Sequence, residues 1–232
     1  MDTSKLDEKR LAKYFDHTLL FAYSSEQDFE AFVKEAIDMD VKMLAINSCQ
    51  VKRCKHLLGD NEKNIHVGAA IGFPLGQTTI EVKAFETLKS IEDGCDEIDY
   101  VINIGKLKDK DYDYIKKEMQ TIVDLCREHN VISKVIFENC YLEKDEIKKM
   151  SLLAKEVKPD FIKTSTGFGT GGATLEDVKI MLDAVAGEVK VKAAGGIRDW
   201  ETCKAMIELG VERIGTRSSA AILEGFRKER NS

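Results

Sequence analysis

Proline is scarce. Pro74 and Pro159 are the only two in 232 residues, and with 16 glycines the composition argues against long disordered linkers. No apolar run approaches the length of a membrane span. The opening MDTSKLDEKR lacks the apolar core of an export signal. A basic excess is missing too: 35 basic and 41 acidic side chains leave a formal charge of −6. That balance argues against nucleic acid as a partner and leaves room for a small anionic ligand in a local pocket. His17, His56, His66 and His129 show no paired ligand spacing, and Cys49 and Cys54 have no second pair, so no metal site is expected. Neither a GxxxxGK phosphate loop nor a GxGxxG dinucleotide turn occurs. There is no internal repeat, low-complexity tract or sign of a second domain. With 43% hydrophobic residues the chain can bury one sizeable core, so one domain over residues 1–232 is expected. The six cysteines read as free, mostly buried thiols of a reducing cytosol.

What is present is alternation. A short leading helix is expected over residues 4–13, then a strand at Tyr14–Leu20 with Asp16 and His17 near its loop end. Further strands are expected at Val41–Asn47, Ile65–Phe73, Glu97–Ile104, Ile132–Asn139, Phe161–Ser165, Val189–Ala194 and Arg213–Thr216. Helical patterns separate them. Ser24 with Gln27, and Thr78 with Glu81, read as capping boxes, and Val82, Phe85, Leu88 and Ile91 as a buried helix stripe. Eight strands alternating with helices predict a parallel α/β sheet closed into a TIM (β/α)8 barrel, with an open doubly wound sheet as the alternative.

The segment DFIKTSTGFGTGG, Asp160–Gly172, places Lys163 on an apolar strand that runs into a Ser/Thr/Gly-rich turn. Thr174 and Asp177 then signal a helix start, and Gly187 its end. A buried ammonium is costly unless something uses it, and a glycine-rich turn offers N–H groups to an anion. The same segment also fits a solvent-facing lysine before an ordinary turn. In a barrel, catalytic groups gather at the C-terminal ends of strands, so Asp99, Lys163 and Lys192 would converge on one cavity. Burial and a second ammonium both favour an uncharged amine, which can attack a carbonyl and form an iminium. Asp99 is then the available acid/base. Asp99 could instead be a structural counter-ion, and Lys190 with Lys192 could mark a solvated strand. Glycine-rich loops at Ser165–Gly172, Gly195–Gly196 and Thr216–Ser219 suit a phosphate, or are merely turns. His17 reads as a hydrogen-bonded structural residue.

Taken together, DHTLL (Asp16–Leu20), GFPLGQTTIEVKAFE (Gly72–Glu86), DEIDYVINIG (Asp96–Gly105), KVIFE (Lys134–Glu138), FIKTSTGF (Phe161–Phe168), VKAAGGIR (Val191–Arg198) and RIGT (Arg213–Thr216) resemble the deoxyribose-phosphate aldolase family. They span nearly the whole chain. The resemblance implies a class I aldolase that reversibly cleaves 2-deoxy-D-ribose 5-phosphate to D-glyceraldehyde 3-phosphate and acetaldehyde. It implies that Lys163 forms the Schiff base, that Lys192 perturbs its pKa, that Asp99 relays protons with an ordered water, and that Asp16 supports the network. Phosphate would lie near Gly167, Gly195, Gly196, Ser218 and Ser219. No cofactor and no metal is implied, and no membrane or nucleic-acid partner. A cytoplasmic homodimer acting on a small phosphorylated sugar and aldehydes is expected.

Several positions depart from the family pattern. Phe21–Ala22 follow DHTLL where Lys-Pro is usual, and Ala45–Ser48 replace a Cys-Val-Asn-Pro-like run. Asn139 stands where Thr is usual, and Arg217 where a small residue is. No terminal tyrosine follows Arg230–Asn231–Ser232. Rival readings are an iminium enzyme for another phosphorylated sugar, and a phosphate-binding barrel that has lost activity.

Overall fold

A computed structural model of the protein describes residues 2–231; the chain end at Ser232 lies outside the described residues. Eight parallel strands close on themselves in sequence order. They are β1 (Phe15–Leu19), β2 (Met43–Asn47), β3 (His66–Ile71), β4 (Glu97–Val101), β5 (Ile132–Ile136), β6 (Phe161–Lys163), β7 (Lys190–Ala194) and β8 (Arg213–Thr216). Phe15, Asp16 and His17 pair with Ile214, Gly215 and Thr216, which seals the ring and rules out an open sheet.

Among the described residues ten α-helices accompany the strands: α1 (Glu8–Ala12), α2 (Glu26–Met39), α3 (Val51–Leu58), α4 (Ile80–Glu92), α5 (Ile104–Lys108), α6 (Tyr112–Glu128), α7 (Lys144–Val157), α8 (Leu175–Val185), α9 (Trp200–Leu209) and α10 (Ser219–Arg230). None is long and apolar enough to cross a membrane, among the described residues. Thr174 caps α8 through Asp177 N, as its sequence predicts. Two other caps lie one residue later than expected. Ser25 and Asp28 form the box of α2, and Thr79 accepts from Val82 N at α4. The leading helix is broken in two, because Asp7 turns out of the helix to cap Arg10 N. Asn103 is not on β4: it caps α5 by accepting from Lys106 N.

Strand parity divides the apolar from the charged. Leu44, Ile46, Val67, Ala69, Ile98, Tyr100, Val135, Ile162, Val191 and Ile214 point outward and belong to the main apolar cluster beneath the helices. The alternate positions Asp16, Glu97, Asp99, Lys134, Lys163, Lys192 and Arg213 fill the lumen and are buried. Gly68 is needed there: a Cβ on it would lie 2.5 Å from the sulfur of Met43.

Helix α4 corrects the expected stripe. Its buried face is Ile80, Lys83, Thr87 and Ser90, whereas Val82 is 49% and Phe85 71% exposed. Leu88 and Ile91 are half-buried. The reason is the Lys83 ammonium, which bonds Glu118 Oε1 at 2.6 Å and the Val101 carbonyl at 2.7 Å, both out of solvent. Removing one partner of such a buried pair costs about 3–5 kcal/mol, so it holds α4 in this rotation against the pull of Phe85.

Candidate active site

Lys163 ends β6 and is 4% exposed. Its Nζ donates to Asp99 Oδ2 at 2.8 Å, and Lys192 Nζ donates to the same oxygen at 2.6 Å. Lys134 Nζ takes the other oxygen, Oδ1, at 2.6 Å. The ladder explains the meeting. Asp99 lies beside Lys134, and Lys163 beside Lys192, on neighbouring strands of one closed ring. Side chains of like parity therefore converge on the axis.

Below this layer the network continues. Asp16 binds Lys192 and accepts from Arg213 Nε at 2.6 Å. Arg213 also reaches Glu97 Oε2 at 2.9 Å, and Glu97 pairs with Lys134 and with His66 Nδ1 at 2.6 Å. Asp16 is thus the second residue of β1, deep in the barrel and not near the loop end as expected. Four lumen cations (Lys134, Lys163, Lys192, Arg213) face three carboxylates (Asp16, Glu97, Asp99), and the set balances when Lys163 is uncharged.

The ionisation follows from that arrangement. Burial pulls the Lys163 amine down to about 8 from 10.5; Lys192 and Lys134 act in the same sense, while Asp99 opposes them. Burial raises the Asp99 carboxyl, but Lys134, Lys163 and Lys192 outweigh it and hold Asp99 well below the usual carboxylate range. The lumen therefore presents an ionised acceptor beside an amine that is easily uncharged.

Above Lys163 opens a cavity of about 320 Å³, lined by Gly167, Gly195, Gly196, Ser218, Arg198 and Arg217 among others. Backbone torsions explain three of these glycines: φ is +88° at Gly167, +85° at Gly195 and +80° at Gly196, a region costly for other residues. The loops touch through backbone. A Cβ on Gly172 would sit 2.2 Å from the Gly195 carbonyl oxygen, and Ala173 N donates to that same oxygen at 3.0 Å. Glu138, with φ +58°, is folded back so that its carboxylate accepts from Thr166 N at 3.1 Å and from the Thr166 hydroxyl.

Lys163, Asp99, Lys192 and Asp16 are joined in one network, and Gly167, Gly195, Gly196 and Ser218 line the cavity over Lys163. Ser219 is not among the lining residues. It begins α10, is fully buried, and its hydroxyl meets His17 Nδ1 at 3.0 Å. His17 is stacked on Phe32 with Nε2 3.4 Å from Glu35, a structural position. Sequence reasoning missed Glu97, Lys134, Arg213 and Glu138 as members. The available signal was parity: Glu97 shares the face of Asp99, and Lys134, like Lys163, is a lysine set among apolar strand residues.

A closed (β/α)8 barrel with a buried lysine and a carboxylate under a cationic, glycine-lined mouth defines the class of lysine-dependent aldolases. The sequence profile of the DeoC/LacD family aldolases matches residues 10–226, and the chain belongs to that family. It is 55% identical over 216 residues to a deoxyribose-phosphate aldolase of Lactobacillus acidophilus, covering 93% of this chain and 90% of the relative. It is 50% identical over 217 residues to the enzyme of that name from Thermococcus gammatolerans, covering 94% and 96%. The solved deoxyribose phosphate aldolase of Aeropyrum pernix, described as tetrameric, superposes with a TM-score of 0.88 at 27% identity, over 98% of this chain and 95% of that one.

Proposed function

We propose that Lys163 is the Schiff-base lysine of a reversible aldol cleavage of 2-deoxy-D-ribose 5-phosphate. The observation that carries this reading is the buried Lys163 amine, lowered to about 8, on Asp99 and at the base of the cavity. The uncharged amine attacks C1 of the open-chain aldehyde, and loss of water gives the iminium. The C3 hydroxyl loses its proton and the C2–C3 bond breaks. D-Glyceraldehyde 3-phosphate leaves, and the electron pair enters the iminium to give an enamine. Protonation at C2 and addition of water release acetaldehyde and restore the amine. Asp99 is the ionised acceptor beside the reacting nitrogen, and Lys192 holds a proton on the same Asp99 oxygen. Asp16 positions Lys192 from below. Phosphate is held by the lining groups at Gly167, Gly195, Gly196 and Ser218.

Residues 1–232 act as one barrel domain in this reading. The six free cysteines suit a cytoplasmic setting. The chain works as a homodimer, with the outward Val82 and Phe85 of α4 in the contact. Light scattering on the wild type and on Phe85→Glu checks this: dimer falling to monomer supports it, and a monomeric wild type refutes it. The activity is tested by following acetaldehyde release from deoxyribose 5-phosphate. Turnover is expected in the wild type and at least 1,000-fold less in Lys163→Met, roughly the loss on removing a covalent nucleophile. Equal turnover in both refutes the assignment.

A further inference from the structure

The cavity over Lys163 has one charge sign. Among its described lining residues are Lys163, Arg198 and Arg217, and no aspartate or glutamate, in a chain whose formal charge is −6. Arg217 is the unusual member. Its side chain is solvent-exposed yet fixed: the guanidinium carbon lies 4.1 Å from the centre of the Phe21 ring. Phe21 is in turn stacked on Tyr23 at 5.1 Å and meets Phe168 edge-on at 6.2 Å. Phe21 and Phe168 line the same cavity. Among the described residues no carboxylate lies within ion-pair distance of Arg217, although Asp28 and Glu35 line the adjoining pocket that it also borders. Its donors are thus held over the Phe21 ring, beside the loop of Gly195, Gly196 and Ser218, with no protein acceptor among the described residues. A guanidinium held over a ring by its face keeps N–H groups available for a two-point contact with a phosphate monoester.

We infer that Arg217, clamped on Phe21, is a specificity-determining residue that grips the phosphate of the substrate and sets the preference for phosphorylated over unphosphorylated sugars. The inference rests on the aldolase reading above and adds a residue to it. Phe21 is a positioning residue here, acting through the ring on which Arg217 lies.

The test compares the wild type, Arg217→Ser and Phe21→Ala on 2-deoxyribose 5-phosphate and on 2-deoxyribose, with binding of inorganic phosphate measured by calorimetry. Both changed side chains border the mouth, so folding is checked only by circular dichroism. Arg217→Ser is expected to lower the ratio of kcat/KM for the phosphorylated over the unphosphorylated sugar roughly 10- to 100-fold, the worth of one charged hydrogen-bonding pair. The change should fall mainly on KM, and phosphate binding should weaken to match. Phe21→Ala, which keeps the guanidinium but removes its platform, should lower the ratio by less. An unchanged ratio and unchanged phosphate binding in Arg217→Ser overturn the inference while leaving the aldolase reading intact. A wild type that turns over neither sugar overturns both.

Discussion

Replacing Lys192 by methionine removes one of the two ammoniums that share Asp99 Oδ2. From bonds of 2.8 and 2.6 Å to that oxygen, the two nitrogens lie no more than about 5.4 Å apart. At an effective dielectric of about 20, like charges about 5 Å apart repel by about 3 kcal/mol. That corresponds to about 2 pKa units. Lys163, held at about 8 in the wild type, should then titrate near 10, because burial and Lys134 remain but the strongest like-charge neighbour is gone. At pH 7 a pKa of about 8 leaves roughly one amine in ten uncharged, and a pKa near 10 roughly one in a thousand. The variant should therefore lose about 100-fold in the single-turnover rate of iminium formation at pH 7 and recover most of it by pH 10. The fold should survive, since Asp16 keeps Arg213 and Asp99 keeps Lys134 and Lys163. The assay is the rate of reductive trapping with acetaldehyde and cyanoborohydride across pH 6–10.5. An inflection that stays near 8 would refute the argument from Lys192 and leave burial and Lys134 as the causes. A deficit that persists undiminished at pH 10 would assign Lys192 a role other than charge.

Further outcomes follow from the same geometry. Because the amine of Lys163 is depressed in the fold, the unfolded chain binds the extra proton between about 8 and 10.5, so stability rises with pH across that window. Below about 8 the cost is fully present, about 3 kcal/mol, and above 10.5 it is absent. Lys163→Met should thus be up to about 3 kcal/mol more stable than the wild type at pH 7 in urea unfolding, the gap closing by pH 10.5; a gap independent of pH would contradict this. Glu138→Ala strands the Thr166 amide and hydroxyl, which are both buried. It should cost about 1–3 kcal/mol of stability and raise KM for the phosphorylated sugar as the Gly167 turn loosens. An unaltered KM would show that the turn holds itself.

The segment around β6 was the most legible part of the chain. Lys163, the glycine turn and the Thr174 cap are local features, and local chemistry decides them; α8 stops just before the expected place, with Ala186 as its left-handed cap ahead of Gly187. The ring of eight strands was readable from alternation alone. What escaped was whatever depends on a distant partner. Asp16 sits low in the lumen because Arg213 and Lys192 draw it there from strands at the other end of the chain. The α4 stripe inverted because Lys83 found Glu118 on another helix. The Ser219 hydroxyl turns toward His17 because α10 begins at that residue, which leaves only its backbone N–H, at the helix N-terminus, for an anion. Glu97 and Lys134 shared the parity of Asp99, yet a charged lumen was not expected, since barrel interiors are commonly filled by branched apolar side chains.

The most direct test of the account is borohydride reduction of the protein with 2-deoxyribose 5-phosphate, followed by peptide mapping in the mass spectrometer. A single covalent adduct on Lys163 is expected, absent from Lys163→Ala even though Lys134 and Lys192 remain. An adduct mapped to another lysine, with full turnover by the alanine variant, would contradict it.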